Sequence, residues 1–114
     1  MHELSLAVAL VEQVEAALLR EQSPRAVRID LAVGALAGVD PEAFAFAFPI
    51  AAEGTPVEGA KLNLRPVPLQ VKCADCGQES EPSSLFLIYC EKCESTKVEI
   101  VSGRGMVIEA IEIE

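Results

Sequence analysis

Histidine is nearly absent from this chain: among 114 residues only His2 carries an imidazole. A serine or cysteine nucleophile served by a histidine base therefore has no candidate outside that one residue. No glycine-rich loop of phosphate-cradling form occurs either, which excludes the common nucleotide-binding signatures. Basic residues are also scarce, 9 Lys plus Arg against 18 Asp plus Glu for a net charge of -9. That field is the wrong sign for a phosphate backbone, so no nucleic-acid partner is expected. No apolar run approaches the roughly 18 residues of a membrane span. The start of the chain carries an acid at Glu3 in place of a basic leader and a small-residue cleavage site. A cytoplasmic protein with no membrane partner is expected, and its length suits one small core carrying an appended module. There are no internal repeats and no low-complexity tract.

What is present begins with an amphipathic helix over residues 3–22. Leu4, Ala7, Val8, Val11, Val14 and Leu18 recur at three- and four-residue steps, with Leu6 and Leu10 widening the stripe. Ser23-Pro24 ends it, because the residue before a proline is driven from the α region. Val27, Ile29, Leu31 and Val33 then alternate with Arg28 and Asp30, the period of a strand with one buried face. Asp40-Pro41-Glu42 is a helix start: an Asp cap, Pro in the first turn and an acid at the positive end of the dipole. The Phe44–Phe48 run alternates with alanine and also fits a strand, but the explicit cap favours a helix that turns Phe44 and Phe48 to the core. Pro49 and Gly54 predict a short or irregular end. An extended segment from about Ala60 to Lys72 changes its inward phase across Pro66, which predicts a bend or a sheet edge. Met106 to Glu114 reads as the last strand, reached through a hinge at Ser102-Gly103-Arg104-Gly105.

Four cysteines, Cys73, Cys76, Cys90 and Cys93, stand as C-x2-C-x13-C-x2-C. Each pair sets two thiolates on one turn, and two such knuckles make the tetrahedral sulfur cage of structural zinc. Two disulfides, a redox pair or an iron-sulfur cluster are the competing readings. A reducing compartment argues against the first, and one four-thiolate site accounts for the paired spacing better than two redox pairs. Leu85 to Tyr89 are expected to form a strand returning the chain to the second knuckle, completing a zinc ribbon too small to fold without its metal. Between Gln70 and Val101 three lysines (Lys72, Lys92, Lys97) face six acids (Asp75, Glu79, Glu81, Glu91, Glu94, Glu99), which again disfavours nucleic acid. A ribbon used for protein contact fits that charge.

The histidine's place beside the terminus matters chemically. Methionine removal is expected only before a small residue, so Met1 should remain ahead of His2. The α-amine of Met1, the backbone nitrogen of His2 and its imidazole Nδ1 then close five- and six-membered chelate rings in one plane. The Glu3 backbone nitrogen, or less favourably its carboxylate, supplies a fourth corner. Planar nitrogen sets suit Ni(II) and Cu(II), whereas structural zinc takes a tetrahedron. On these residues alone, an exposed histidine near a helix start remains the simpler reading.

The combination carries more weight. Met-His-Glu-Leu-Ser running into a helix, an αβαβ body and the late cysteine knuckles before an acidic final strand closely resemble the HypA/HybF family of hydrogenase nickel-insertion accessory proteins, over essentially the whole chain. Asp40-Pro41-Glu42 with Phe44 and Phe48, and Val101-Ser102-Gly103, share the likeness. The resemblance implies a non-enzymatic metallochaperone that delivers Ni(II) during maturation of nickel-iron hydrogenase, and in some relatives urease. It implies nickel held by Met1, His2 and Glu3, and structural zinc held by Cys73, Cys76, Cys90 and Cys93. A nickel-binding GTPase of the HypB type and the hydrogenase large-subunit precursor are the implied partners. One departure is visible: the second knuckle reads Cys-Glu-Lys-Cys-Glu-Ser, where Cys-Pro-x-Cys-Gly is common, which bears on the knuckle's stiffness. The alternative is a zinc-ribbon interaction module without nickel. The expected architecture is α+β: two helices on a small three-stranded mixed sheet (residues 1–69 plus 103–114, the nickel-binding body), with an inserted zinc-ribbon domain (70–102).

Overall fold

A computed structural model describes residues 2–114; Met1 lies outside the described residues. Helix α1 spans His2–Glu21 and buries Ala7, Leu10, Val11, Val14 and Leu18. Val8, which the spacing puts on the buried stripe, is 43% exposed, and Leu10 takes the inward place. The helix ends before Ser23-Pro24 is reached. Gln22 turns left-handed at φ 53, and the Ser23 N–H closes onto the Leu18 carbonyl at 3.0 Å, the six-to-one bond of a Schellman cap.

Strand β1, Ala26–Gly34, follows, then a single 3-10 turn at Ala35–Ala37. Helix α2 spans Pro41–Ala52; the Asp40 carboxylate accepts from the N–H groups of Glu42 and Ala43 at 3.0 and 3.4 Å. This cap decides the ambiguous phenylalanine run as helix. Phe44 and Phe48 are buried while Phe46, two positions out of phase, is 77% exposed, as a 3.6-residue period requires. Pro49 is carried inside the helix, which still runs to Ala52. The extended segment divides into β2, Lys61–Val67, and β3, Gln70–Cys73. The remaining strands are β4, Glu79–Ser80, β5, Val98–Ser102, and β6, Met106–Ile113.

The strands form two three-stranded sheets, ordered β2-β1-β6 and β4-β3-β5. The first is mixed, with helices α1 and α2 packed together beside it in the chain's two-helix body. β2 is an edge strand there, the place where Pro66 costs no ladder hydrogen bond. In the first sheet, the Gly34 N–H donates to the Gly105 carbonyl and the Glu114 N–H to the Arg25 carbonyl. Partner numbers that fall as β1 rises mark β6 as antiparallel to it. Asp30 belongs to a polar network on this sheet: it accepts from Asn63 at 2.9 Å and Arg28 at 3.2 Å. Arg65 grips Glu109 with two bonds, 3.0 and 2.6 Å long.

The second sheet is antiparallel throughout, with Val71 facing Ser80 on one side and Ile100 on the other. It replaces the strand expected at Leu85 to Tyr89. Leu85 to Leu87 form bends and Ile88 and Tyr89 join no strand, and Leu85, Phe86 and Leu87 are 45%, 101% and 64% exposed. The partner that β3 uses is Val98–Ser102 instead. An apolar run makes a strand only where a neighbouring edge accepts its hydrogen bonds, and both edges of β3 are already taken. The chain separates into two compact units, one of Ala32–Gly38 with Pro66–Met106, the other of the residues up to Leu31 with Val39–Arg65 and Val107–Glu114.

Candidate metal centre

The two cysteine pairs fold into near-copies of one turn. In the first, the Cys73 N–H donates to the Gln78 carbonyl at 3.0 Å and the Gly77 N–H returns to the Cys73 carbonyl at 3.0 Å. In the second, the Cys90 N–H donates to the Ser95 carbonyl and the Glu94 N–H to the Cys90 carbonyl, both at 2.8 Å. Each turn aims two amides at its first sulfur. Asp75 and Cys76 donate to Cys73 Sγ at 3.3 and 3.4 Å, and Lys92 and Cys93 donate to Cys90 Sγ, both at 3.4 Å. Cys73 and Cys90 are buried; Cys76 and Cys93 are exposed.

The turn needs its fifth residue left-handed. Gly77 supplies this at φ 74 and Glu94 at φ 65, so the departure noted in the sequence falls on the position where a side chain is least welcome. Glu94→Gly is expected to raise stability by roughly 1 kcal/mol, the scale of the left-handed penalty for an ordinary residue, read as a higher melting temperature of the metal-loaded protein. An unchanged or lower melting temperature would show that Glu94 carries no strain.

The four Sγ atoms lie within 4.8 Å of one another, with Cys73 and Cys93 3.5 Å apart and Cys76 and Cys90 3.6 Å apart. All four thiols are free. A Zn–S bond of about 2.3 Å makes the edge of a sulfur tetrahedron about 3.8 Å, so the spacing suits a four-coordinate zinc. Electrostatics agree. The Cys93 N–H is the main cause that holds the Cys90 thiol down at about 6, with burial opposing and Lys92 assisting. Cys73 is lowered by the Cys76 N–H against burial, with help from Asp75. Cys76 receives an N–H from Gln78, yet partial desolvation and the Cys90 and Cys73 sulfurs raise it; Cys93 receives one from Ser95, yet the Cys73 sulfur, partial desolvation and the other two sulfurs push it up to about 12. Like charges this close do not all ionise alone; a dication reverses that, drawing the last protons off as it binds.

At the other predicted site, His2 is the exposed first residue of α1 and Glu3 is half-buried. Met1, the third member, lies outside the described residues. The Glu3 carboxylate accepts from the Asp40 N–H at 3.4 Å, tying the start of α1 to the cap of α2. Glu3 also lines a small apolar cavity of about 190 Å³ with Leu4, Phe46 and Ile50. Among the described residues, the cysteine cage is the one cluster of three or more candidate metal-ligating side chains. Sequence reasoning missed the groups that link the knuckles: Ser95, Asp75 and the buried Ser80. Serines and acids in loops carry no spacing signal of their own.

A two-helix body with small mixed sheets and a cluster of four cysteines defines a small α+β protein with one side-chain metal site among its described residues. Comparison with known proteins makes this specific. Residues 1–113 match the family model described as hydrogenase/urease nickel incorporation, metallochaperone, HypA. The chain is 38% identical over 114 residues to the hydrogenase maturation factor HypA of Chlorobium limicola, covering 100% of this chain and 97% of that one. It is 37% identical over 121 residues to the factor of the same name from Methanocaldococcus jannaschii, covering 100% and 98%. The solution structure of the Ni metallochaperone HypA from Helicobacter pylori superposes with a TM-score of 0.74 at 27% identity, over 97% of this chain and 96% of that one. The chain belongs to the HypA family of hydrogenase/urease nickel-incorporation metallochaperones. Nickel handling in hydrogenase maturation is its function, and the reading as an interaction module without nickel is not favoured.

Proposed function

We propose that the chain carries Ni(II) on its first three residues, holds structural zinc on its four cysteines, and passes nickel on without catalysing a reaction. The zinc ligands are Cys73, Cys76, Cys90 and Cys93; four protein sulfurs leave no open coordination position, so this metal stiffens its unit and does no chemistry on a substrate. The nickel ligands are Met1, His2 and Glu3. The supporting observation is that His2 and Glu3 open α1. The first amides of a helix have no intrahelical acceptor, so their nitrogens are free to bind metal. Because the Glu3 carboxylate is engaged by Asp40, its backbone nitrogen is the favoured fourth donor. Two deprotonated amides also neutralise a dication that would otherwise oppose the positive end of the helix dipole.

Delivery follows from this chemistry. Amine, imidazole and amides bind nickel only when deprotonated, so acid releases it, and a terminal site can be handed over while the carrier stays folded. The partners on this reading are a nickel-binding GTPase of the HypB type and the hydrogenase large-subunit precursor, met in the cytoplasm; no described helix is long and apolar enough to cross a membrane. Nickel titration of the protein with its native terminus tests the site. His2→Ala, and separately one extra residue placed before Met1, should each weaken binding by at least about tenfold, the scale of one ligand's 1.4 kcal/mol or more. Equal affinities in all three proteins would rule the terminal site out.

A further inference from the structure

We propose that the hydroxyl of Ser95 and the carboxylate of Asp75 form a clasp across the two knuckles that sets how slowly the cage gives up its metal; this rests on zinc occupying the four cysteines. The two C-x2-C turns are separate local structures 13 residues apart. A four-coordinate ion held here would need the two knuckles to part before all four sulfurs could let it go. Bonds between the halves, other than those through the metal, therefore govern how often the cage opens.

Among the described residues, three further hydrogen bonds join the halves besides the sulfur contacts of the cage and the β3–β5 ladder. The Ala74 N–H donates to the Lys97 carbonyl at 2.8 Å, the Glu91 N–H donates to Ser80 Oγ at 3.3 Å, and Ser95 Oγ donates to Asp75 Oδ2 at 2.5 Å. The last is the shortest, and its acceptor is a carboxylate, the kind of hydrogen bond that is about twice as strong as a neutral one. Both its members also shape the ligands. Asp75 lies between Cys73 and Cys76, and its own N–H points at Cys73 Sγ at 3.3 Å; fixing its side chain fixes that amide. Ser95 closes the second turn by accepting from the Cys90 N–H through its carbonyl at 2.8 Å, while its Oγ accepts from the Lys97 N–H at 3.1 Å. One side-chain contact thus reaches both knuckles, each of which carries one exposed cysteine, Cys76 or Cys93. The strained second turn at Glu94, φ 65, is the half such a clasp restrains.

The test is the rate at which the full-length, zinc-loaded protein transfers metal to an excess of a chromogenic chelator, after metal analysis has established one zinc per chain. Ser95→Ala and Asp75→Ala should each speed transfer by about tenfold, the low end for losing a group that orients metal ligands. The double variant should be no faster than either single one, while Ser95→Thr, which keeps the donor, should stay close to the native rate and Asp75→Asn, which keeps only a neutral acceptor, should fall between the native rate and that of Asp75→Ala. Cobalt-substituted variants should keep the native ligand-field spectrum, showing that four sulfurs still bind and only their release has changed. Asp75→Ala keeps the test decisive where Ser95→Ala does not fold, since Ser95 also serves the Lys97 amide. Native rates in the single variants, or effects that multiply in the double, overturn the clasp. Protein isolated without zinc overturns the cage reading beneath it, and metal analysis tells the two failures apart.

Discussion

Replacing Cys90 with serine is expected to unfold the unit made of Pro66–Met106 and Ala32–Gly38 while α1 and α2 stay folded. Cys90 is fully buried and receives two amide hydrogen bonds, so, like Cys73, it is a ligand that the protein itself holds in place. Structural zinc supplies an apparent 10–16 kcal/mol in small zinc-dependent folds, about as much as the whole stability of an ordinary domain. The apolar core available to offset its loss is small: Leu69 and Val71 are the large buried side chains of β3 and the turn before it. Amide exchange read by segment checks the outcome. Protection should vanish in β3 and β5 and persist around Val14, Ile29 and Phe44, and a strong chelator added to the native protein should give the same pattern. Undiminished protection in β3 and β5 of Cys90→Ser would show that the sheet stands without its metal.

Gly103→Ala is the second substitution expected to act strongly, although it touches neither metal site. Gly103 sits at φ 87, and a Cβ there would lie 2.6 Å from the Pro68 carbonyl oxygen and 2.8 Å from Leu69 Cα. Both neighbours are backbone, so nothing yields by rotating a side chain. Gly34 faces the same spot from the other side, where a Cβ would meet the Gly103 carbonyl carbon and oxygen 2.4 Å away. The Leu36 N–H donates to that carbonyl at 2.8 Å, so moving it also strains a hydrogen bond. Overpacking of about 1–3 kcal/mol and the left-handed penalty of about 1–2 kcal/mol add to roughly 3 kcal/mol. For a chain of this size that lowers the melting temperature by on the order of 10 °C or more. Gly105→Ala is the control, because nothing lies within 4 Å of its added Cβ. A Gly103→Ala protein that melts with the native one and the Gly105→Ala control would mean the backbones there separate freely.

The residues most legible in the sequence are those whose chemistry is local. The Asp40 cap, the four cysteines and the period of α1 each act within a few positions, so their spacing in the chain is their spacing in space. The errors arise where a partner distant in sequence decides. Leu85 to Tyr89 look like a strand, but the edges of β3 pair with Glu79–Ser80 and Val98–Ser102, leaving Phe86 fully exposed. Val8 follows the helical stripe of α1 and still lies partly in solvent, because the stripe is wider than the surface that covers it.

The sequence by itself determined the capped start of α2, the edge place of the strand that carries Pro66, the grouping of the cysteines on two turns and the family likeness, all of which rest on short-range geometry and on donor types read directly from residue identities. Only the tertiary structure decided which strands neighbour β3, that Ala32–Gly38 groups with Pro66–Met106, that Gly34 and Gly103 meet backbone to backbone, and that Ser95 reaches Asp75. Each of these is a contact across a long stretch of chain, set by packing and hydrogen-bond satisfaction of the whole molecule. A glycine or a serine shows nothing of such a contact until the chain has folded around it.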